Sequence, residues 1–216
     1  MISVEVDPAQ LQEVRDRLEY LKNGANRALS RALNKTASKA KTEASRAIRQ
    51  QVNLTAAYVR ERLKGPANGW EYKATVNRLQ AKVSTPRRGI LLREFVTNFA
   101  NARTGPPATP IRLKVKTGGS SQVLVSGFYI RTKGSAVLTP AVRNEVLRRL
   151  GMTRTLDSGD FTVLHGPSLS QVYTDVKDSI AADMGAVLAA NMHREMDWLL
   201  QKYPPPGDDG VTEDAA

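Results

Sequence analysis

The chain contains no cysteine. This excludes a disulfide scaffold, thiolate metal sites and a cysteine nucleophile. It has two histidines, His165 and His193, and their spacing fits no zinc pattern; both read as satisfied or solvent-facing side chains. Aromatic residues are 6% of the 216, so a core must rest on Val, Leu, Ile and Ala. No apolar run approaches the roughly 20 residues that a spanning helix needs. The opening MISVEVDPAQ has neither the basic nor the apolar section of a secretion signal. The expectation is a soluble protein made in the cytosol, with no membrane partner. The G-x-S-x-G, P-loop and G-x-G-x-x-G patterns are missing, and Gly118-Gly119 reads as a hairpin turn. Asp175, Asp178 and Asp183 read as a solvated helix face, not a catalytic pair. We expect no enzyme, no metal and no cofactor.

Acidic residues are outnumbered, 21 against 32 Lys and Arg, for a formal charge of +11. Such a balance favours anionic partners: nucleic acid, an acidic protein surface or a membrane surface. The cations are not interleaved with base-stacking aromatics, and no helix-turn-helix or RRM pattern appears. Sequence-specific recognition is therefore not expected, and non-specific contact with DNA is the second reading. A hydrophobic fraction of 41% with 25% charged residues describes a folded protein.

What is present in strength is the stretch Asn26 to Gln50, NRALSRALNKTASKAKTEASRAIRQ. At about 100° per residue, Ala25, Leu29, Ala32, Leu33, Thr36, Ala37, Ala40, Ala44, Ala47 and Ile48 fall on one side of a helix. Arg27, Arg31, Lys35, Lys39, Lys41, Arg46 and Arg49 fall on the other, with Glu43 at the edge. A packing side of alanine lets a neighbour approach the backbone closely. The opposite side offers positive charge to an anionic partner.

Along the rest of the chain, Ile2–Val6 alternates as a strand. Asp7-Pro8 opens a helix whose stripe is Leu11, Val14, Leu18 and Leu21, and Asn23-Gly24 breaks it. Thr55 or Asn53 caps a short helix that ends at Gly65-Pro66. WEYKATVN and LQAKVST alternate as a hairpin. ILLREF fits either a strand or a helical turn. TNFANARTGPPATP is a loop of mobile or partner-ordered type. IRLKVKT and QVLVSGFYI form an antiparallel hairpin with a cationic face. Thr139-Pro140 opens a helix AVRNEVLRRL, DFTVLH is a last strand, and Gly166-Pro167-Ser168 opens the final helix. Its stripe is Val172, Val176, Ile180, Met184, Val187, Leu188, Met192 and Leu199. Pro204-Pro205-Pro206 ends it. The following GDDGVTEDAA has four acids and no base and reads as disordered.

These elements predict an α+β fold, with a central antiparallel sheet packed against long N-terminal and C-terminal helices. A single domain spans 1–203: helices over 8–64, a sheet-rich middle over 70–165 and a C-terminal helix over 168–203. The acidic tail is 204–216. Candidate residues facing an anionic partner or DNA are Arg27, Arg31, Lys35, Lys39, Arg46, Arg49, Arg87, Arg88, Arg112 and Lys114. Candidate subunit-packing residues are Ala32, Ala40, Ala44, Val176, Ile180 and Met184.

Three stretches resemble the phage minor tail protein Z family, the tail-completion proteins of long, non-contractile phage tails. Arg31-Ala32-Leu33-Asn34-Lys35-Thr36-Ala37, followed by Val52 to Leu63, is similar to the family's R-A-x-N-x-x-A helix and its V…Y-V-R-E-R-L-like successor. Gly127-Phe128-Tyr129-Ile130 resembles its G-x-F-I strand. Val163 to Gln171 resembles its L-x-G-P-S entry to a long C-terminal helix. The similarity runs in order over residues 7 to 202. The helix expected over Thr139–Gly151 and the acidic tail depart from it. The resemblance implies a structural virion protein of the tail's head-proximal end, and host cytoplasm during assembly. It implies a homo-oligomeric ring, most plausibly hexameric, between tail tube or tail terminator and the head connector, with the genome passing through its axis.

Overall fold

The computed structural model describes residues 2–4, 8–19, 21, 23–99, 110–124, 126–131, 138–149 and 160–204. The class is α+β. Among the described residues, nine strands, β1 (Ile2–Val4), β2 (Ala81–Val83), β3 (Gly89–Leu91), β4 (Arg112–Leu113), β5 (Gln122–Val123), β6 (Gly127–Arg131), β7 (Leu138–Arg143), β8 (Phe161–Val163) and β9 (His165–Ser168), accompany five α-helices. The helices are α1 (Pro8–Arg17), α2 (Gly24–Gln51), α3 (Ala56–Arg62), α4 (Asn144–Arg149) and α5 (Leu169–Lys202). Every strand pairing is antiparallel. Among the described residues the strands form small sheets, β1-β2, β3-β9, β4-β5 and the three-stranded β6-β7-β8.

The chain contains two compact units built from interleaved segments. One comprises residues 1–43, 64–84 and 177–216, the other 44–63 and 85–176. The helices α2 and α5 each contribute to both.

In the first unit the α2 side chains follow the predicted period. Leu29, Ala32, Leu33, Thr36, Ala37 and Ala40 are fully buried, while Arg27, Arg31, Lys35 and Lys39 are exposed. Asn191 Nδ2 of α5 donates to Thr36 Oγ1 at 3.0 Å, while Arg31 and Lys35 pair with Glu195. Contacts that advance along α2 recede along α5, so the two helices run antiparallel here. Leu188, Met192, Met196 and Leu199 complete this core with Val14 and Leu18 of the α1 region. The break before α2 is at Asn23, whose φ is 59°, in the left-handed region that Asn tolerates.

The predicted hairpin over 70–85 is reduced to a single antiparallel bridge between Thr75 and Arg78. Residues Trp70–Tyr72 make a 3-10 turn, and β2 pairs with β1. The reason lies in α2. Asn34 Nδ2 donates to Ala74 O at 2.9 Å, and Asn34 Oδ1 accepts from Ala74 N at 2.8 Å. A side-chain amide therefore takes the backbone groups that a partner strand would need. Arg78 adds to this, its guanidinium donating to Trp70 O and, at 2.8 Å, to Lys73 O.

In the second unit, Ala44 and Ile48 of α2 and Leu169, Val172, Tyr173 and Val176 of α5 are buried, as are Val59, Phe95, Ile111, Tyr129 and Val142. Thr55 caps α3 as expected, its side chain accepting from Tyr58 N. The stretch ILLREF is both of its readings in turn, strand β3 and then a 3-10 turn over Leu92–Phe95. The hairpin β4-β5 forms, but QVLVSGFYI divides into β5 and β6 around Ser126, whose φ is 54°. The expected helix start at Thr139-Pro140 is a strand instead. Thr139 through Val142 are all buried, and a short apolar run buried on both faces has no period that separates strand from helix. Strand β8 pairs only with Ala141–Arg143, so Pro140 sits where β7 has β6 alone as neighbour, a place that tolerates a missing N–H. The helix begins later, at Asn144. Gly166 and Pro167 belong to β9, and Ser168 starts the last helix through a capping box: Ser168 Oγ accepts from Gln171 N at 3.1 Å, and Gln171 Oε1 accepts from Ser168 N at 2.8 Å. The Asp7 cap, most of the loop between Thr97 and Pro110, and the tail beyond Pro204 lie outside the described residues.

Candidate interaction surfaces

The cationic side of α2 is the first surface. Glu195 of α5 reaches it from the opposite helix. Its side chain is only 6% exposed, and it pairs with Lys35 and, at 3.8 Å, with Arg31. The guanidinium of Arg31 also lies 4.5 Å from the centre of the Trp198 ring, and Lys202 Nζ lies 4.9 Å from the same ring. Two of the predicted partner-facing cations are thus oriented by an internal carboxylate, while about half of each side chain stays in solvent. Glu195 was not anticipated. The signal was there, because residue 195 falls three after Met192 and four before Leu199, on the apolar stripe of α5.

One turn further along α2, Lys39 makes no ion pair among the described residues. Together with Lys35 and Arg194 of α5 it rims an open groove of about 480 Å³, floored by Ala186 and Ala190. Arg27 is exposed at the start of the same face. Lys41 is half-buried and donates to Asn68 Oδ1 at 2.9 Å. Its pKa is lowered, first by burial and then by repulsion from Lys64.

The remaining predicted cations belong to the other unit. Arg46 is exposed; Arg49 is half-buried and its Nε donates to Ser45 O at 3.2 Å. Arg87 and Arg88 are exposed just before β3, and Arg87 borders a shallow cleft with Gln171 and Thr174. Arg112 is exposed and Lys114 half-buried around β4.

The six residues assigned to subunit packing are all buried within the single chain. Ala32, Ala40 and Ala44 are 0% exposed, and Val176, Ile180 and Met184 are at most 8% exposed, within the single chain. Alanine spacing on α2 and the α5 stripe serve the chain's own core. Among the described residues the most exposed large apolar side chain is Trp70, 78% exposed, with the Arg78 guanidinium 5.4 Å from its ring centre.

His165 is exposed, with Nδ1 3.2 Å from Val163 O, and His193 is exposed on α5. Among the described residues no group of His, Asp and Glu could hold a metal ion. Nor is any described helix long and apolar enough to cross a membrane.

The family model of prophage minor tail protein Z (GPZ) matches residues 11–203. The chain belongs to the minor tail protein Z family. No curated protein and no solved structure matches it. Membership makes it a structural protein of the phage tail, a virion component that works among other virion proteins. The matched span includes both compact units. It also includes the Asn34 clamp on Ala74 and the Ser168–Gln171 capping box, which give physical roles to the Asn of the alanine helix and to the G-P-S entry of α5.

Proposed function

We propose that this minor tail protein Z acts at the head-proximal end of the tail, where it completes the tail and supports head–tail joining and passage of the genome. It would do so as a homo-oligomeric ring, hexameric by family resemblance, between tail tube or tail terminator and head connector. The observation that carries this is the two-sided helix α2: a fully buried alanine side fixes it in the fold, and Arg27, Arg31, Lys35 and Lys39 remain exposed on the other. A fixed row of cations on a member of a phage-tail family fits acidic surfaces of neighbouring virion proteins. With the alanines taken by the chain's own core, the contact between copies falls to exposed side chains, of which Trp70 is the anchor we favour.

Electron microscopy of tails lacking the protein, with and without purified protein added, tests the reading. Added density at the head-proximal end supports it. A monomer with no affinity for such tails would overturn it.

A second reading, non-specific contact with duplex DNA, is favoured by Arg27, Lys39, Arg87, Arg88 and Arg112, exposed and without ion pairs among the described residues. It requires binding that weakens steeply with salt. Unaltered DNA mobility at about 50 mM salt would remove it.

A further inference from the structure

We propose that the contact between copies is a knob in a socket: the indole of Trp70 enters, on the next copy, the cleft between the end of α2, the β4–β5 turn and the start of α5. The inference rests on the reading of the chain as a ring component and names the socket for its anchor. The knob is held out and held still. Trp70 is 78% exposed. Its carbonyl accepts from the Arg78 guanidinium and from Lys73 N at 3.2 Å, and the same guanidinium lies 5.4 Å from the ring centre. An aromatic side chain fixed before contact loses little freedom on binding and brings about 150–250 Å² of surface to bury.

The socket is apolar, open and preformed. Its walls are Val52, Val115, Pro167 and Val172, and its volume is about 570 Å³. That lies within the range of about 300–1,000 Å³ that holds drug-sized ligands, so an indole fits with room for the side chains beside it. Backbone bonds fix the end of α2 to the turn: Asn53 N donates to Val115 O at 2.8 Å, and Thr117 N to Gln51 O at 3.1 Å. The Gln51 side chain at the cleft offers the acceptor that a buried indole N–H needs. The charges agree as well. Glu71 and Arg78 stand beside Trp70, while Lys116 and Asp175 stand at the cleft. Glu71, Lys116 and Asp175 are exposed and make no ion pair among the described residues, so acid can face base twice across the contact. Knob and socket are different patches of one chain, carried by different units. A contact between unlike patches is head-to-tail. It leaves a knob and a socket free on every pair and so propagates from copy to copy, as a ring requires.

Sedimentation of the full-length protein, up to about 100 μM and so well above the micromolar end of protein interfaces, tests the contact. Wild type should self-associate. Trp70→Ala should raise the dissociation constant at least about 30-fold, as loss of an anchor residue does. A Cβ on Gly118 would meet nothing within 4 Å, so Gly118→Phe places a ring at the cleft without crowding the fold, and should weaken association as much. The two variants mixed should form a heterodimer and stop there, because one has the only open socket and the other the only Trp70. Glu71→Lys and Lys116→Glu should each weaken association at least about tenfold, and the two together in one chain should restore it. A wild type that stays monomeric throughout, a Trp70→Ala protein that associates like wild type, or a mixture without the heterodimer would overturn the proposal. Its failure is distinct from that of the tail-end reading. Head-proximal density unchanged by Trp70→Ala removes the knob and leaves that reading standing, whereas association through knob and socket without such density does the reverse.

Discussion

Asn34 grips Ala74 with both ends of its amide, forty residues away in sequence, through bonds of 2.9 and 2.8 Å. The clamp joins α2 to the segment that leads into β2. It explains why residues 70–77 alternate like a strand yet form none. Replacing Asn34 with Ala leaves a buried Ala74 N–H and C=O without these partners and should cost about 1–3 kcal/mol. Asn34→Asp keeps the acceptor but turns a donor into a carboxylate facing Ala74 O, and should cost at least as much. Urea unfolding of the two variants checks this. Equal midpoints for wild type and Asn34→Ala would show that the clamp is dispensable.

Glu195 is a buried carboxylate whose two counter-charges come from α2. Removing one leaves the other, and both are half-exposed, so Arg31→Ala alone should cost about 1 kcal/mol or less. Removing both Arg31 and Lys35 strands the carboxylate, and should cost about 3–5 kcal/mol. Glu195→Gln on that background should recover most of the loss. A double-mutant cycle measured by denaturant unfolding gives the coupling directly. Additive losses with no recovery would deny the pairing.

The burial of Lys41, helped by Lys64, lowers its pKa. The sign for stability follows from linkage. Below 10.5 the unfolded chain holds the Lys41 proton more firmly than the folded one. Stability therefore rises with pH from the lowered folded-state pKa up to that value. Lys64→Gln removes the second cause and should move the Lys41 titration upward, leaving the effect of burial. Side-chain carbon shifts of Lys41 followed through alkaline pH report it. An unmoved titration in Lys64→Gln would exclude repulsion as a cause.

How far the sequence foretold this molecule depends on the range of the forces involved. The two faces of α2 were legible because helical period and residue type agree over the helix, and Leu29 through Ala40 are buried where the period puts them. The Thr55 cap was legible because it is a local bond. Thr139-Pro140 carries the same local signal, but burial of Thr139–Val142 on both faces overrides it and extends the chain as β7. The Asn34 clamp has no signal in sequence spacing at all. Among the candidate cations, exposure was foreseen for Arg27, Arg31, Lys35 and Lys39. Their convergence with Arg194 and Glu195 was not, since it requires the antiparallel placement of α5.

The interleaving of the two units bears on cooperativity. The boundary between them falls inside α2, after Glu43, and inside α5, after Val176. Breaking a helix interior forfeits backbone hydrogen bonds on both sides, so we propose that 1–203 unfolds as one domain. Both tryptophans, Trp70 and Trp198, belong to the first unit, so their fluorescence reports that unit alone, whereas far-ultraviolet circular dichroism reports both. The two urea transitions should coincide. A fluorescence transition displaced from the dichroism transition would show two domains.

Lys39 and Ala40 are adjacent in sequence and opposite in consequence. Ala40 is 0% exposed, and its methyl fills the space that the packed side of α2 leaves. Ala40→Leu forces additional carbons into that side and should cost about 1–3 kcal/mol, lowering the melting temperature by about 2–4 °C for each kcal/mol in a chain of this size. Lys39 extends into solvent at the groove. Lys39→Glu should change stability by no more than about 0.5 kcal/mol, yet it replaces a cation with an anion where an acidic partner would bind. Melting curves of the two variants, with tail binding measured beside them, separate the two roles of the helix. A loss of stability in Lys39→Glu comparable to that in Ala40→Leu would mean that the cationic side is part of the packing. Undiminished tail binding by a stable Lys39→Glu protein would take this cation out of the interface.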